Sequence, residues 1–109
     1  MVKVKFSTSE GKFVGVECLG HSGYAEEGED IVCAALSSVI QTAVLGIIRV
    51  IGINIGYETE EDSGYLKAIL PKTISKSDLH DADLILRTAY LGVSDLYETF
   101  SDFISLEVE

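Results

Sequence analysis

A two-layer α/β sandwich, with elements in the order ββαββα(β) and two helices packed on a largely antiparallel sheet, is the fold class this sequence predicts. Three observations carry that expectation. Two pairs of short runs alternate apolar with polar residues, each pair split by turn formers. One long stretch, Ile31 to Ile48, holds no charged residue, and one later stretch repeats apolar residues at spacings of three and four. Hairpins make antiparallel neighbours, so most of the sheet should be antiparallel.

The first hairpin follows from Val2, Val4 and Phe6 alternating with Lys3 and Lys5, a turn signal at Ser9-Glu10-Gly11, and renewed alternation through Val14, Val16 and Cys18. A loop over 20–29 carries three glycines among Ser22, Glu26, Glu27 and Glu29 and should be exposed. The first helix is expected from about Ile31 to Val50, and its apolarity on nearly every side predicts burial over most of its surface. Ile53, Ile55 and Tyr57 then alternate with Asn54, Gly56 and Glu58. Polar residues 60–64 lead into Leu66, Ala68 and Leu70, a second hairpin ended by Pro71. Ser77, Asp78 and Asp81 signal the start of a second helix, whose apolar stripe runs from Leu79 through Leu86, Val93 and Leu96 to Phe100. The alternation of Ile104, Leu106 and Val108 predicts a last strand.

Length and composition narrow the class of function. With 109 residues, 47% of them hydrophobic, the chain suits one compact domain spanning residues 1–109. Its 18 acidic against 8 basic side chains give a formal charge of −10, which opposes binding to nucleic acid or to an anionic membrane and favours a basic protein partner. The uncharged stretch reaches the length of a candidate membrane span, but Ser37, Ser38, Gln41 and Thr42 interrupt it and strand patterns flank it, so a buried helix is expected instead. The opening Met1-Val2-Lys3-Val4-Lys5-Phe6 reads as a strand rather than a secretory signal, which points to the cytoplasm and to reduced thiols at Cys18 and Cys33. No metal-ligand spacing is present, and no cofactor is called for.

The chemistry concentrates between Gly20 and Ser37. Asp30 is a good helix N-cap, because its carboxylate accepts from backbone amides two or three residues on. Cys33 then falls in the first turn, where the positive end of the helix dipole lowers a thiol pKa and makes the thiolate a nucleophile. His21 sits between glycines that let it swing toward Cys33. Each residue also has a plainer reading. Cys33 suits a small core hydrophobe, His21 an exposed loop histidine, and Asp30 a cap with no other role. Ser37, one turn past Cys33, either lines a pocket or bonds the backbone four residues back. Cys18 reads as core, His80 as an exposed first-turn residue, and Glu26, Glu27 and Glu29 as a solvated face.

Taken together, Gly20-His21-Ser22-Gly23-Tyr24-Ala25, Gly28, Asp30-Ile31-Val32-Cys33-Ala34-Ala35 and Ser37 resemble the signature of the ribosomal-processing cysteine protease family, Prp. The family's layout of hairpin, signature loop, long helix, second hairpin and second helix is similar to residues 1–100. The resemblance implies a bacterial cytoplasmic endopeptidase, usually a homodimer. Such enzymes remove an N-terminal extension from large-subunit ribosomal protein L twenty-seven, cutting after an aromatic pair and before a small residue. It implies His21 as general base and Cys33 as nucleophile, with Asp30 and Ser37 beside the site and Gly20, Ser22, Gly23 and Tyr24 supporting it or contacting substrate. The expected chemistry is thiolate attack on a peptide carbonyl and hydrolysis of the resulting thioester, with opening helix amides around Val32 and Cys33 as oxyanion donors. Two other classes compete: a noncatalytic module that binds a basic ribosomal protein during assembly, and a thiol redox sensor in which Cys18 would resolve an oxidised Cys33.

Overall fold

The computed structural model describes residues 1–20, 29–60 and 64–109, and at Glu29 and Asp30 the backbone alone. Strands β1 (Val2–Ser9) and β2 (Lys12–Leu19) form the first hairpin, followed by helix α1 (Glu29–Leu45), which continues as a π-helical segment, Gly46–Ile51. Then come β3 (Gly56–Glu60), β4 (Tyr65–Ile69), helix α2 (Lys76–Thr99) and β5 (Ile104–Val108). The five strands make one sheet in the order β3-β4-β2-β1-β5. All neighbours are antiparallel except β1 and β5, which pair in parallel from Val2 opposite Ile104 to Phe6 opposite Val108.

Alternation explains which way the strands face. Val2, Val4 and Phe6, together with Val16, Cys18, Leu66, Ala68 and Ile104, point to one side and are buried there. Against them lie Val32, Leu36, Ile40, Val44 and Ile47 from the first helix and Ala82, Leu86, Ala89 and Val93 from the second. The first turn is tight because Glu10 and Gly11 both take positive φ, 51° and 80°, which matches the right-handed twist of the two strands.

Four expectations needed correction. Helix α1 starts at Glu29, so Asp30 is inside the helix and is not its N-cap. Its burial is one-sided: Leu45 and Val50 are exposed, Val50 at 83%, while the opposite stripe packs on the sheet. Over Ile31–Ile51 the helical stretch has the length and apolarity of a membrane span, yet the buried stripe is part of the sheet's own core. The third strand starts at Gly56 rather than Ile53, because Gly52 ends the helix in the left-handed conformation and Ile53 turns inward as a buried plug. Helix α2 begins two residues before Ser77 would have it capped, with Ser75 as N-cap accepting from the Asp78 amide at 3.2 Å.

One buried charge ties helix to hairpin. Asp83 of α2 is only 4% exposed. It accepts from the Phe13 amide at 2.7 Å and from Arg87 Nε, with both oxygens at 2.9 Å, while Lys12 Nζ stands 4.0 Å away. Arg87 also donates to the Gly11 carbonyl and lies 4.9 Å over the Phe13 ring, so the guanidinium clasps the β1–β2 turn. Burial by itself pushes the Asp83 carboxyl up, but the Phe13 hydrogen bond, the Arg87 hydrogen bond and charge, and the Lys12 charge together hold it below the ordinary aspartate value. A native carboxyl lowered in this way stabilises the fold above about pH 4, and that contribution is lost as pH falls toward the lower native value. Asp83→Ala is therefore expected to cost about 2 kcal/mol at pH 7, because it leaves the Phe13 amide and a half-exposed Arg87 without their acceptor. The same variant should flatten the fall in stability below pH 4, which urea unfolding at several pH values would measure.

Candidate active site

The catalytic candidates gather where β2 ends, β4 begins and α1 starts. Cys33 is the fifth residue of α1, half-buried and packed against the edge of the core. Its Sγ lies over Gly20, the first residue after β2: a Cβ added to Gly20 would stand 2.9 Å from that sulfur. Real Cβ atoms do not come so close, so this position is open only to glycine unless the thiol moves. Gly20 is fixed in turn by its amide, which donates to the Gly64 carbonyl at 2.9 Å. Gly64 has φ +65°, and a Cβ there would meet the Gly20 backbone at 3.2 Å. Two glycines in backbone contact thus make a floor on which the thiol rests.

Of the predicted site residues, the structure brings Gly20 and Cys33 into contact. Ser37 is half-buried on the next turn of α1, on the same helix face as Cys33. Asp30 lies three residues before Cys33 in the helix, in the first turn. His21, Ser22, Gly23 and Tyr24 lie outside the described residues, as do Glu26 and Glu27 of the acidic loop. Val32 and Cys33, whose amides were expected as oxyanion donors, are the fourth and fifth residues of α1 as described from Glu29. Gly64 was missed. It counted only as the end of the polar stretch 60–64, and nothing in the sequence says that Gly64 meets Gly20.

Cys18 and Cys33 are both free thiols with different surroundings. Cys18 is buried in β2, and burial first, then the neighbouring Cys33, push its pKa up to about 12. The buried Cys18 thiol is therefore held in its protonated form at pH 8. Iodoacetamide at pH 8 should accordingly label Cys33 in the folded protein and spare Cys18 until the chain is unfolded, as peptide mass mapping would read.

Comparison with known proteins bears on what this arrangement is. Residues 1–105 match the family model described as cysteine protease Prp. The ribosomal processing cysteine protease Prp of Bacillus subtilis is 25% identical over 103 residues, covering 94% of this chain and 92% of that protein. The Staphylococcus aureus protein of the same name is 29% identical over 97 residues, covering 89% and 88%. Among solved structures, SMU.848 from Streptococcus mutans superposes with a TM-score of 0.87 at 30% identity, covering 99% of this chain and 93% of that one. The S. aureus Prp bound to a covalently linked product peptide superposes at 0.82 with 26% identity and full coverage of both chains. The S. aureus Prp in complex with a substrate peptide shares the fold at a TM-score of 0.87 and 24% identity, again over both whole chains.

Fold and family model define the class, a cysteine protease built on a two-layer α/β sandwich. Within it, the chain belongs to the cysteine protease Prp family.

Proposed function

We propose that this protease removes the N-terminal extension of large-subunit ribosomal protein L twenty-seven, as a homodimer in the cytoplasm, with His21 as general base and Cys33 as nucleophile. The observation that carries the reading is the Cys33 thiol, half-buried and seated on Gly20 at the end of β2, in a chain whose relatives are named for ribosomal processing. In the proposed reaction His21 takes the Cys33 proton and the thiolate adds to the scissile carbonyl. The tetrahedral adduct collapses to a thioester as the amine leaves with a proton from His21, and water then releases the acid. The net charge of −10 supports a basic substrate, which long-range attraction would recruit. Exposed Leu45 and Val50 on the first helix and Leu84 and Leu91 on the second support self-association, since they offer uncharged surface to a second copy.

Incubation with the host's L twenty-seven precursor, read by mass spectrometry, tests the assignment. A single cut after the aromatic pair is the expected result, and an intact precursor overturns it. Light scattering of the purified protein should return twice the 11.8 kDa chain mass if the dimer holds.

A further inference from the structure

The chain has two cysteines, and the proposed reaction uses only Cys33. We infer that Cys18 is its resolving partner: when a hydroperoxide oxidises Cys33, the two close a disulfide that switches the protease off until a dithiol reopens it. The inference rests on the protease reading above. Its geometric basis is the end of β2. Cys18 is buried on the helix-facing side of the sheet, and Gly20, two residues on, turns its Cβ position toward the Cys33 sulfur of α1. Residues two apart on a strand lie about 7 Å from each other on one face, so the reactive sulfur rests one strand repeat from Cys18. The same helix brings Ser37, Ile40 and Gln41 to a cavity of about 110 Å³ that Cys18 lines, and charge on Cys33 is felt at Cys18. A disulfide needs Cα atoms within about 7 Å of each other, so Cys33 must turn off Gly20 and along β2 to close it. Closure therefore takes the nucleophile from its seat as well as capping it.

The chemistry divides unequally between the two thiols. Cys33, at the edge of the core, is the one a hydroperoxide reaches. Its thiolate attacks the terminal oxygen, the O–O bond breaks, the alkoxide takes a proton from water, and Cys33 is left as a sulfenic acid. The Cys18 sulfur then attacks the Cys33 sulfur. An S–S bond forms, the S–O bond breaks, and the hydroxide leaves with the Cys18 proton as water, so the sulfur pair has given two electrons to the peroxide. A dithiol returns them by exchange. Burial keeps Cys18 protonated and inert toward reagents in solution, but a neighbouring sulfur meets it at a high effective concentration. The uncharged sulfenic acid also lifts the Cys33 charge, the second of the two causes of the raised Cys18 pKa. A transient disulfide of this kind is compatible with a reducing compartment.

The test treats the reduced full-length protein with hydrogen peroxide and follows intact mass, peptide maps and cleavage of the precursor together. The expected wild-type result is a loss of about 2 Da, a Cys18–Cys33 linked peptide pair, and a fall in kcat/KM of about 100-fold or more that dithiothreitol restores. Cys18→Ser and Cys18→Ala should keep the untreated activity. With no resolving thiol, peroxide should carry their Cys33 on to the sulfinic acid, a gain of about 32 Da that dithiothreitol does not reverse. The wild-type measurement stands without either variant, should neither fold. Wild type that gains oxygen without forming the disulfide, that links two chains instead, or that is inactivated as irreversibly as the Cys18 variants overturns the switch and leaves the protease reading intact. An internal disulfide in a protein that cuts no precursor before treatment overturns the protease reading, and with it the switch as a control of proteolysis.

Discussion

Cys33→Ala is expected to lower kcat/KM on a cleavable precursor by about 10⁴–10⁶-fold while the protein stays folded. The size follows from the proposed role. If the thiolate forms the covalent intermediate, its removal leaves only binding and oriented dipoles, a small remnant of the whole rate. Folding should survive because Cys33 sits at the core's edge, half-buried, and alanine keeps the helix. A melting temperature within about 8 °C of wild type is the matching expectation. His21→Ala should cost nearly as much, and the double variant little more than either single one, since base and nucleophile act as a unit. Turnover by Cys33→Ala at even a hundredth of the wild-type rate would remove Cys33 from the mechanism.

Gly20→Ala should cost about 100-fold in kcat/KM with little loss of stability. The added methyl would lie 2.9 Å from Sγ, so one of the two has to move. The backbone has little room, because the Gly20 amide is held by the Gly64 carbonyl and the Gly64 Cα already stands beside it. The thiol is the freer partner and turns away, and a nucleophile misplaced by roughly 1 Å loses about two orders of magnitude. Gly64→Ala separates this effect from general disruption. With φ at +65° it pays mainly in backbone strain, so a loss of stability on the order of 1–2 kcal/mol should accompany any loss of rate. Gly20→Ala with wild-type kcat/KM would show that the thiol does not react from the place it occupies here.

The hairpins, both helices and the last strand were legible because each writes its own period into the sequence. Val2, Val4 and Phe6 read as a strand face without any knowledge of the partner strand. What escaped depends on distant residues meeting. The Gly20–Gly64 contact joins positions far apart in the chain, and no local pattern announces it. Asp83 carries no mark of burial in its own stretch of sequence. Only the packing of Phe13 and Arg87 around it makes it a buried clasp, although Arg87 four residues on was a visible hint. The one-sided burial of α1 was misread for a related reason: apolar content says that a face shuns water, and not which neighbour covers it. Within the candidate site, Gly20, Cys33 and Ser37 were correctly placed at one end of one helix and strand. The start of that helix was misjudged by two residues, Glu29 against the expected Ile31.

The parallel pairing of β1 with β5 has a consequence for how the chain comes to be folded. β1 leaves the ribosome long before β5, with every other element of the fold between them, yet they share a ladder from Val2 to Phe6. Throughout synthesis one side of β1 waits with its amides and carbonyls open, as Val2 does until the Phe103 carbonyl arrives to take its N–H at 2.7 Å. Local hairpin and helix formation proceed early, but this closure is a long loop whose entropy is lost before its contacts are gained. Lys3 and Lys5, alternating along the waiting strand, put like charge on it and discourage two nascent chains from pairing there instead.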